Sequence, residues 1–197
     1  MVINIRCARM DDIEAIIPYI KMAAGGISEF LFENVFEDLS DTELLEIALT
    51  DENTALYYKN FLIVEKDHRI IGASNYYPAE QHGLPDIMKS LIPSEKLDVV
   101  KHYLESKVEG SMYIHTLGIE PGLRNTSVAL LIGKKIEEIA KQQKKRCLSA
   151  HVWRGNKMIY NALKMAGAEI VQHIPIPDHP LFQYQGGMVL MKGPDFK

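Results

Sequence analysis

The segment from residue 119 to residue 129 is the part of the sequence best suited to chemistry. It reads Ile-Glu-Pro-Gly-Leu-Arg-Asn-Thr-Ser-Val-Ala, a polar turn between a strand-like run and a long helical run. A helix N-terminus presents unpaired backbone N–H groups and the positive end of the helix dipole, which together suit phosphate. Small side chains at Ser127 and Ala129 let phosphates approach the backbone. The same segment also fits an ordinary turn in which Asn125, Thr126 or Ser127 caps the helix.

Alternating strand-like and helix-like segments must position this turn. The strand before it is predicted at 111–119 and the helix after it at 127–145, where apolar residues recur at helical spacing. The four polar residues 66–69 predict a hairpin turn. Further strands are predicted at 2–8, 61–65, 70–77, 147–153, 170–174 and 187–191, and helices at 10–24, 28–49, 85–108 (with a break near Pro93) and 156–166. This order predicts a mixed sheet with helices on its faces.

Length and composition bound the class of protein. The chain has 197 residues, of which 47% are hydrophobic and 24% charged, with a formal net charge of −4. A chain of this length without a Gly-, Ser- or Pro-rich linker is expected to form one domain over residues 1–197. No apolar run approaches the ~18 residues of a membrane span, so no membrane association is expected.

The charge, the cysteines and the histidines bear on the partners and the cellular compartment of the protein. Mild acidity argues against nucleic acid as a partner. The charges near the N-terminus argue against a signal peptide, and the two distant cysteines fit reduced thiols, so a cytoplasmic protein is expected. The seven histidines show no metal-ligand spacing, so no metal is expected.

The polar turn resembles the acetyl-CoA pyrophosphate loop of the Gcn5-related N-acetyltransferases (GNAT). That family has Gln or Arg, two residues, Gly, one residue, then Gly or Ala; Arg124 and Ala129 match, while Ser127 stands where glycine is usual. Residues 5–12 and the hairpin over 62–72 resemble the family's first three strands. Strand 151–153, Asn156 and Gly167 resemble its second signature. The resemblance covers nearly the whole chain except 75–110 and 175–186.

The resemblance implies a fold and a cosubstrate. The fold is α/β (mixed α+β), with a central, largely antiparallel sheet of about seven strands flanked by helices and a helical insert before the fourth strand. The cosubstrate is acetyl-CoA, whose pantetheine arm would pair with the backbone of Leu117, Gly118 and Ile119 like an added strand. Asn156 would face that arm. The pyrophosphate would rest on the backbone of Arg124, Asn125, Thr126, Ser127, Val128 and Ala129.

The resemblance also implies direct acetyl transfer to an amine. Alkyl amines have a pKa near ~10.4, so a general base must take up a proton. In the family, residues of the fourth strand often serve as this base, and the matching positions here are Tyr113 and His115. Strand alternation predicts that both share one face with Leu117 and Ile119. With an ordinary pKa of ~6.5, His115 is expected to be the base or to orient a water, and Tyr113 to shape the acceptor pocket. A purely structural histidine is the alternative.

The general acid of the family is missing from this sequence. Family members often carry a tyrosine seven residues after the Asn, where this chain has Leu163. Tyr160 lies on a rotated part of the helix and fits packing. Two functions therefore stay open: an N-acetyltransferase acting on a primary amine of a small molecule or peptide, and a non-catalytic acyl-CoA-binding module. An unrelated nucleotide-binding protein lacks support, because both glycine-rich nucleotide motifs are absent.

Acidic residues concentrate between residues 22 and 58, where the sequence has nine Asp or Glu and no Lys or Arg. In the family this region flanks the acceptor, so an acidic wall would attract a cationic amine. A solvated helix face is the other interpretation. A homodimer is expected at the family level only.

Overall fold

One seven-stranded sheet organises the chain in the computed structural model, which describes residues 3–33, 35, 39–124 and 126–197, with the backbone alone at Ile87 and Thr126. The strands are β1 (Ile3–Cys7), β2 (Phe61–Lys66), β3 (Arg69–Pro78), β4 (Ser111–Ile119), β5 (Cys147–Trp153), β6 (Glu169–Ile174) and β7 (Met188–Lys192). They lie in the order β1-β2-β3-β4-β5-β7-β6. Every neighbouring pair is antiparallel except β4 and β5, which confirms the predicted largely antiparallel sheet.

Helices cover both faces of this sheet. They are α1 (Ile13–Ala24), α2 (Ile27–Phe32), α3 (Asp41–Thr50), α4 (Asp86–Leu91), α5 (Ser94–Glu105), α6 (Thr126–Gln142) and α7 (Lys157–Met165). The helical insert before the fourth strand is confirmed as α4 and α5, with Pro93 between them. No helix within the described ranges is long and apolar enough to cross a membrane.

The predicted helix over 28–49 is wrong, because two separate helices, α2 and α3, occupy that region. Ser40 begins the second one with a capping box. Its Oγ accepts a hydrogen bond from the Glu43 N–H, and the Glu43 carboxylate accepts one from the Ser40 N–H at 2.8 Å. A capping box fixes a helix start, so the chain turns before Asp41 instead of continuing in one helix.

Two helices share one face of the sheet without merging into one core. The apolar side of α6, with Val128, Ile132, Ile136 and Ala140, packs over β2, β3 and β4. The apolar side of α7 packs instead against β5, β6 and β7, where Val152 lies buried. The opposite face carries α1, α2 and α5. The division between α6 and α7 falls where β4 and β5 meet.

The β2–β3 hairpin confirms the predicted turn. Asp67 and His68 have φ angles of 49° and 66°. Two consecutive residues in the left-handed region fit a type I′ turn, whose twist suits the flanking strands. This hairpin places β3 beside β4 along most of its length.

Candidate functional site

The parallel strands β4 and β5 stay together only at their start. Their pairing begins at Ser111 and Cys147 and ends at Tyr113 and Ser149. Among the described residues, 114 and 116–119 of β4 pair with β3 alone, and 150–153 of β5 pair with β7 alone. The gap between the two diverging strands is called the β4–β5 split below. Its edges offer backbone N–H and C=O groups to an added extended segment.

His115 is the extra residue of a β-bulge beside this split. In the β3–β4 register, Asn75 pairs with Thr116 and Tyr76 pairs with Ile114, so His115 has no partner on β3. A bulge of this kind leaves one residue outside the ladder and re-aims the side chains around it. The bulge therefore turns His115 out of regular strand geometry at the edge of the split.

The bulge also overturns the predicted alternation along β4. Leu117 and Ile119 pack against the α6 side of the sheet. Tyr113 is buried on the opposite face with Tyr77, and the Tyr113 and His115 rings lie 6.2 Å apart between centroids. The prediction that all four positions share one face is wrong, because a one-residue shift exchanges the faces on its two sides. Tyr113 and His115 do lie together.

Gly118 brings α1 against the strand that borders the split. A β-carbon at this position would lie 2.6 Å from the Tyr19 carbonyl oxygen and 2.7 Å from the Tyr19 Cβ. Real β-carbons do not approach other atoms so closely, so only glycine lets α1 pack directly on β4. This contact fixes the backbone of residues 117–119 from the face opposite α6.

The polar turn leads from β4 into α6. The Arg124 Nε donates a hydrogen bond of 2.8 Å to the Ile119 carbonyl, which folds that side chain back onto the end of the strand. Because α6 begins at Thr126, residues 126–129 form its first turn, at the positive end of its dipole. Ser127 is exposed there, Ala129 is partly buried, and the Val128 side chain is buried beneath the helix. Asn125 and the Thr126 side chain lie outside the described residues.

Asn156 begins α7 on the other side of the split. Its Oδ1 accepts a hydrogen bond of 3.4 Å from the Ile159 N–H, which confirms the predicted cap. Leu163 and Tyr160 both pack against the buried residues of β5 and β7. This packing agrees with the interpretation of Tyr160 as a packing residue.

Sequence reasoning missed a cluster of aromatic and imidazole rings beneath the split, called the His–Tyr cluster below. The His151 Nδ1 lies 2.8 Å from the Tyr113 hydroxyl, and its Nε2 lies 2.8 Å from the Ser106 hydroxyl. The His82 ring stacks on that of His151 at 5.1 Å. The sequence carries no local signal for this cluster, because its members come from three strands and the insert, namely Tyr77, His82, Tyr103, Tyr113, His115 and His151.

Burial keeps the histidines of this cluster neutral. It lowers the pKa of His115 to about 3, with a smaller contribution from His82. Burial also lowers the pKa of His151 well below its ordinary value, again assisted by its imidazole neighbours. The pKa of His82 is lowered for the same reason, although its hydrogen bond to the Tyr103 carbonyl opposes the shift. Burial raises the pKa of Tyr113 well above its ordinary value.

Acidic side chains border a cavity on the α2 side of the molecule. Its volume is about 400 Å³, and it is lined by Glu29, Phe32, Glu33, Leu39, Ser40, Asp41 and Leu181. One carboxylate oxygen of Glu29 is buried and has no hydrogen-bond partner among the described residues. Part of the predicted acidic wall thus lines a real concavity, while Glu37 and Asp38 lie outside the described residues. No group of three or more potential metal ligands forms within the described part of the chain.

Solved acetyltransferases share this architecture along nearly the whole chain. One structure described simply as an acetyltransferase is 20% identical, with a TM-score of 0.67 over 97% of this chain and 98% of its own. Ribosomal-protein-alanine N-acetyltransferase from Brucella melitensis is 15% identical, with a TM-score of 0.59 over 97% and 99%. The PaiA N-acetyltransferase from Thermoplasma acidophilum, solved in complex with coenzyme A, is 12% identical, with a TM-score of 0.54 over 98% and 99%.

Comparison of sequences alone does not detect this similarity. No protein-family model matches the chain, and no curated protein matches it either. The shared features are the order of the elements and the mixed sheet, at identities too low to carry function. The chain has the fold of the Gcn5-related N-acetyltransferases, as the polar turn and the strand order predicted.

Proposed function

We propose that this protein is an N-acetyltransferase that moves an acetyl group from acetyl-CoA to a primary amine of a small molecule or peptide. The observation that carries the proposal is the β4–β5 split. One end of β4 leads to the positive end of α6, and the His–Tyr cluster lies beneath the other end, where the strands separate. A long ligand with an anionic end and a reactive end suits these two ends.

The groups that border the split suit the chemistry of acetyl-CoA. The backbone of Leu117, Gly118 and Ile119 borders the split and can hold the pantetheine arm as an added strand. The first turn of α6, over 126–129, can hold the pyrophosphate, with Arg124 nearby as a cation. The buried Val128 side chain leaves only its backbone for this role, and Asn156, which caps the start of α7 after β5, is proposed to face the pantetheine arm. When bound, the thioester supplies the acetyl group.

His115 is proposed to orient a water at the bulge instead of holding a proton itself. A base with a pKa of about 3 is too weak to keep a proton taken from an ammonium group at neutral pH. The neutral ring still offers a hydrogen-bond acceptor, and its Nδ1 lies 3.1 Å from the Thr116 hydroxyl. Tyr113 is 1% exposed and is proposed to form the floor of the acceptor pocket.

The acidic cavity supports a cationic acceptor. Glu29, Glu33 and Asp41 face one concavity, and clustered carboxylates raise the local concentration of cations. The Brucella neighbour is named for an alanine of a ribosomal protein, so a peptide amine is one acceptor of the proposed class.

A non-catalytic acyl-CoA-binding module is the second candidate. The observation in its favour is the packing of Leu163 and Tyr160 against β5 and β7, which leaves α7 without an obvious proton donor. General acid catalysis typically contributes about 10²–10⁴-fold, so the loss of an acid slows an enzyme without abolishing turnover. Binding without release of CoA would identify the module.

The test is a thermal shift followed by an assay for CoA release. A ligand at ~100 times its Kd adds about 2.7 kcal/mol, which for this size corresponds to roughly 5–10 °C. We expect acetyl-CoA and CoA to raise the Tm and ATP and NAD to leave it unchanged. Acceptor amines are then screened with wild type, His115→Ala and Arg124→Glu. Unchanged turnover in both variants on a validated acceptor would overturn the site, and no shift with acetyl-CoA would overturn the function.

Three further expectations stay predictions. They are a cytoplasmic location, a homodimer, and a single domain over residues 1–197. Cys7 and Cys147 are free, which supports a reducing compartment. Sedimentation of the purified chain measures the oligomeric state.

A further inference from the structure

His151 stands between two hydroxyl groups at the point where β4 and β5 separate. Its Nδ1 lies 2.8 Å from the Tyr113 hydroxyl, and its Nε2 lies 2.8 Å from the Ser106 hydroxyl. A neutral imidazole has one N–H donor and one acceptor nitrogen, while a hydroxyl can act in either sense. Both tautomers of His151 therefore satisfy both hydrogen bonds.

His82 provides the contrast within the same cluster. Its Nε2 lies 2.9 Å from the Tyr103 backbone carbonyl, which can only accept a hydrogen bond. The proton must therefore reside on Nε2, and Nδ1 accepts from the Tyr77 hydroxyl at 3.2 Å. His82 is locked in one tautomer, and its stacked neighbour His151 is not.

The surroundings of His151 disfavour a charged ring. The rings that contact it are His82, Tyr103 and Tyr113, and His115 lies beyond Tyr113. Among the described residues, no carboxylate, lysine or arginine hydrogen-bonds to these side chains. Any proton that crosses this region must therefore do so without leaving a charge on the ring.

We propose that His151 is a neutral proton relay between Tyr113, at the floor of the split, and Ser106, near the surface. Ser106 is 8% exposed and lies in the chain between the exposed residues Glu105 and Lys107, and the relay requires that water reach its hydroxyl. The inference rests on the proposed acetyl transfer. His151 is a positioning residue in this scheme, because it acts through Tyr113.

One passage of the relay balances in protons. Tyr113 receives a proton from the reaction side and gives its own to Nδ1 of His151. Nε2 gives its proton to the Ser106 oxygen, and Ser106 releases its own hydroxyl proton to water. The ring ends neutral in its other tautomer, and the reverse passage restores the first. An ammonium acceptor first loses one proton to the water at His115. The resulting neutral amine releases one more proton during acetyl transfer and the departing sulfur needs one, so an outward and an inward passage complete a cycle.

The first test is nitrogen NMR of the full chain labelled with 15N-histidine, and it needs no acceptor. His151→Gln and His82→Gln assign the signals. We expect His82 to show one protonated and one unprotonated nitrogen. His151 should show two nitrogens with intermediate shifts, because fast exchange averages its tautomers. A single fixed tautomer at His151 would overturn the relay, whatever the outcome for acetyl transfer.

The second test is kinetic and uses the outer end of the relay. Ser106→Ala removes the hydroxyl without touching the acceptor, and we expect kcat to fall by about 10²-fold with the KM for acetyl-CoA unchanged. The solvent isotope effect should change in Ser106→Ala and return in Ser106→Thr, which keeps a hydroxyl. His82→Gln preserves donor and acceptor and should keep the wild-type isotope effect.

The outcomes separate the relay from the proposed function. Equal kcat in wild type and Ser106→Ala overturns the relay while acetyl transfer stands. A wild-type chain that binds acetyl-CoA but never releases CoA overturns the transferase, and the relay with it as a part of that reaction. Loss of kcat in Ser106→Thr equal to that in Ser106→Ala would indicate disturbed packing and would also overturn the relay.

Discussion

Gly118 and Tyr19 are in such close contact that β4 and α1 meet backbone to backbone. A β-carbon on Gly118 would lie 2.6 Å from the Tyr19 carbonyl oxygen. The contact lies on the strand that borders the β4–β5 split, so the packing of α1 and the shape of the split are coupled.

Gly118→Ala is therefore expected to reduce both stability and cofactor binding. Overpacking of this kind costs about 1–3 kcal/mol, because neither backbone can move freely. Urea unfolding and the thermal shift with acetyl-CoA measure the two effects. Gly122→Ala is the matched control, since a β-carbon there would meet no atom of the described residues within 4 Å. Equal losses in both variants would contradict this account.

Asp12 is expected to be a major contributor to the stability of the β1–α1 connection. Its carboxylate accepts hydrogen bonds from both Arg6 terminal nitrogens, at 2.7 and 2.9 Å, and from the Arg9 N–H at 2.7 Å. These contacts lower the pKa of Asp12. Asp12→Asn should cost about 3 kcal/mol in unfolding free energy, because Arg6 loses a largely buried partner. Asp11→Asn, at the exposed neighbouring position, should cost less than 0.5 kcal/mol.

The partly buried histidines of the His–Tyr cluster, His82, His115 and His151, predict a loss of stability at mildly acid pH. Each folded-state pKa lies below the unfolded value of 6.5, so the unfolded chain binds more protons as the pH falls. The contribution of these histidines to the unfolding free energy is fully present above pH 6.5. Below that pH it falls by up to ~1.4 kcal/mol per pH unit for each histidine. For His115 the window extends to about pH 3. Urea unfolding between pH 7 and 5 should show a shallower slope for His115→Gln, and identical slopes would refute the prediction.

A negative charge at Ser127 is expected to affect helix stability and anion binding in opposite directions. It is exposed in the first turn of α6. An aspartate there stabilises the helix dipole by about 0.3–1 kcal/mol but repels phosphate. Ser127→Asp should therefore keep or raise the Tm of the free protein and reduce the shift with acetyl-CoA. Ser127→Asn, which is similar in size and neutral, should keep that shift, and a full shift in both variants would argue against an anion site.

Most of the fold was predictable from the sequence because its strands and helices follow clear periodicities. The predicted break at Pro93, the cap at Asn156 and the strand over 111–119 all occur in the structure. The helix over 28–49 failed because a local capping box outweighed continuous apolar spacing. That box, Ser40-x-x-Glu43, is itself readable in the sequence.

The site was less predictable, although one missed signal is present. In β4 the apolar residues are Met112, Ile114, Leu117 and Ile119, so the period of two slips by one residue at His115 and Thr116. That slip is the mark of a bulge. The contacts of His151 with Tyr113 and Ser106 had no such mark, because they depend on the parallel register of β4 and β5 and on the position of the insert.

The order of the strands also determines when each half of the sheet can pair during translation. β7 lies between β5 and β6, yet it is the last of the seven strands to be made. Until it emerges from the ribosome, β5 and β6 have no shared partner and expose unpaired edges to other nascent chains. The half of the sheet that carries His151 can therefore mature only after translation of residue 192, whereas the β1–β4 half can pair earlier.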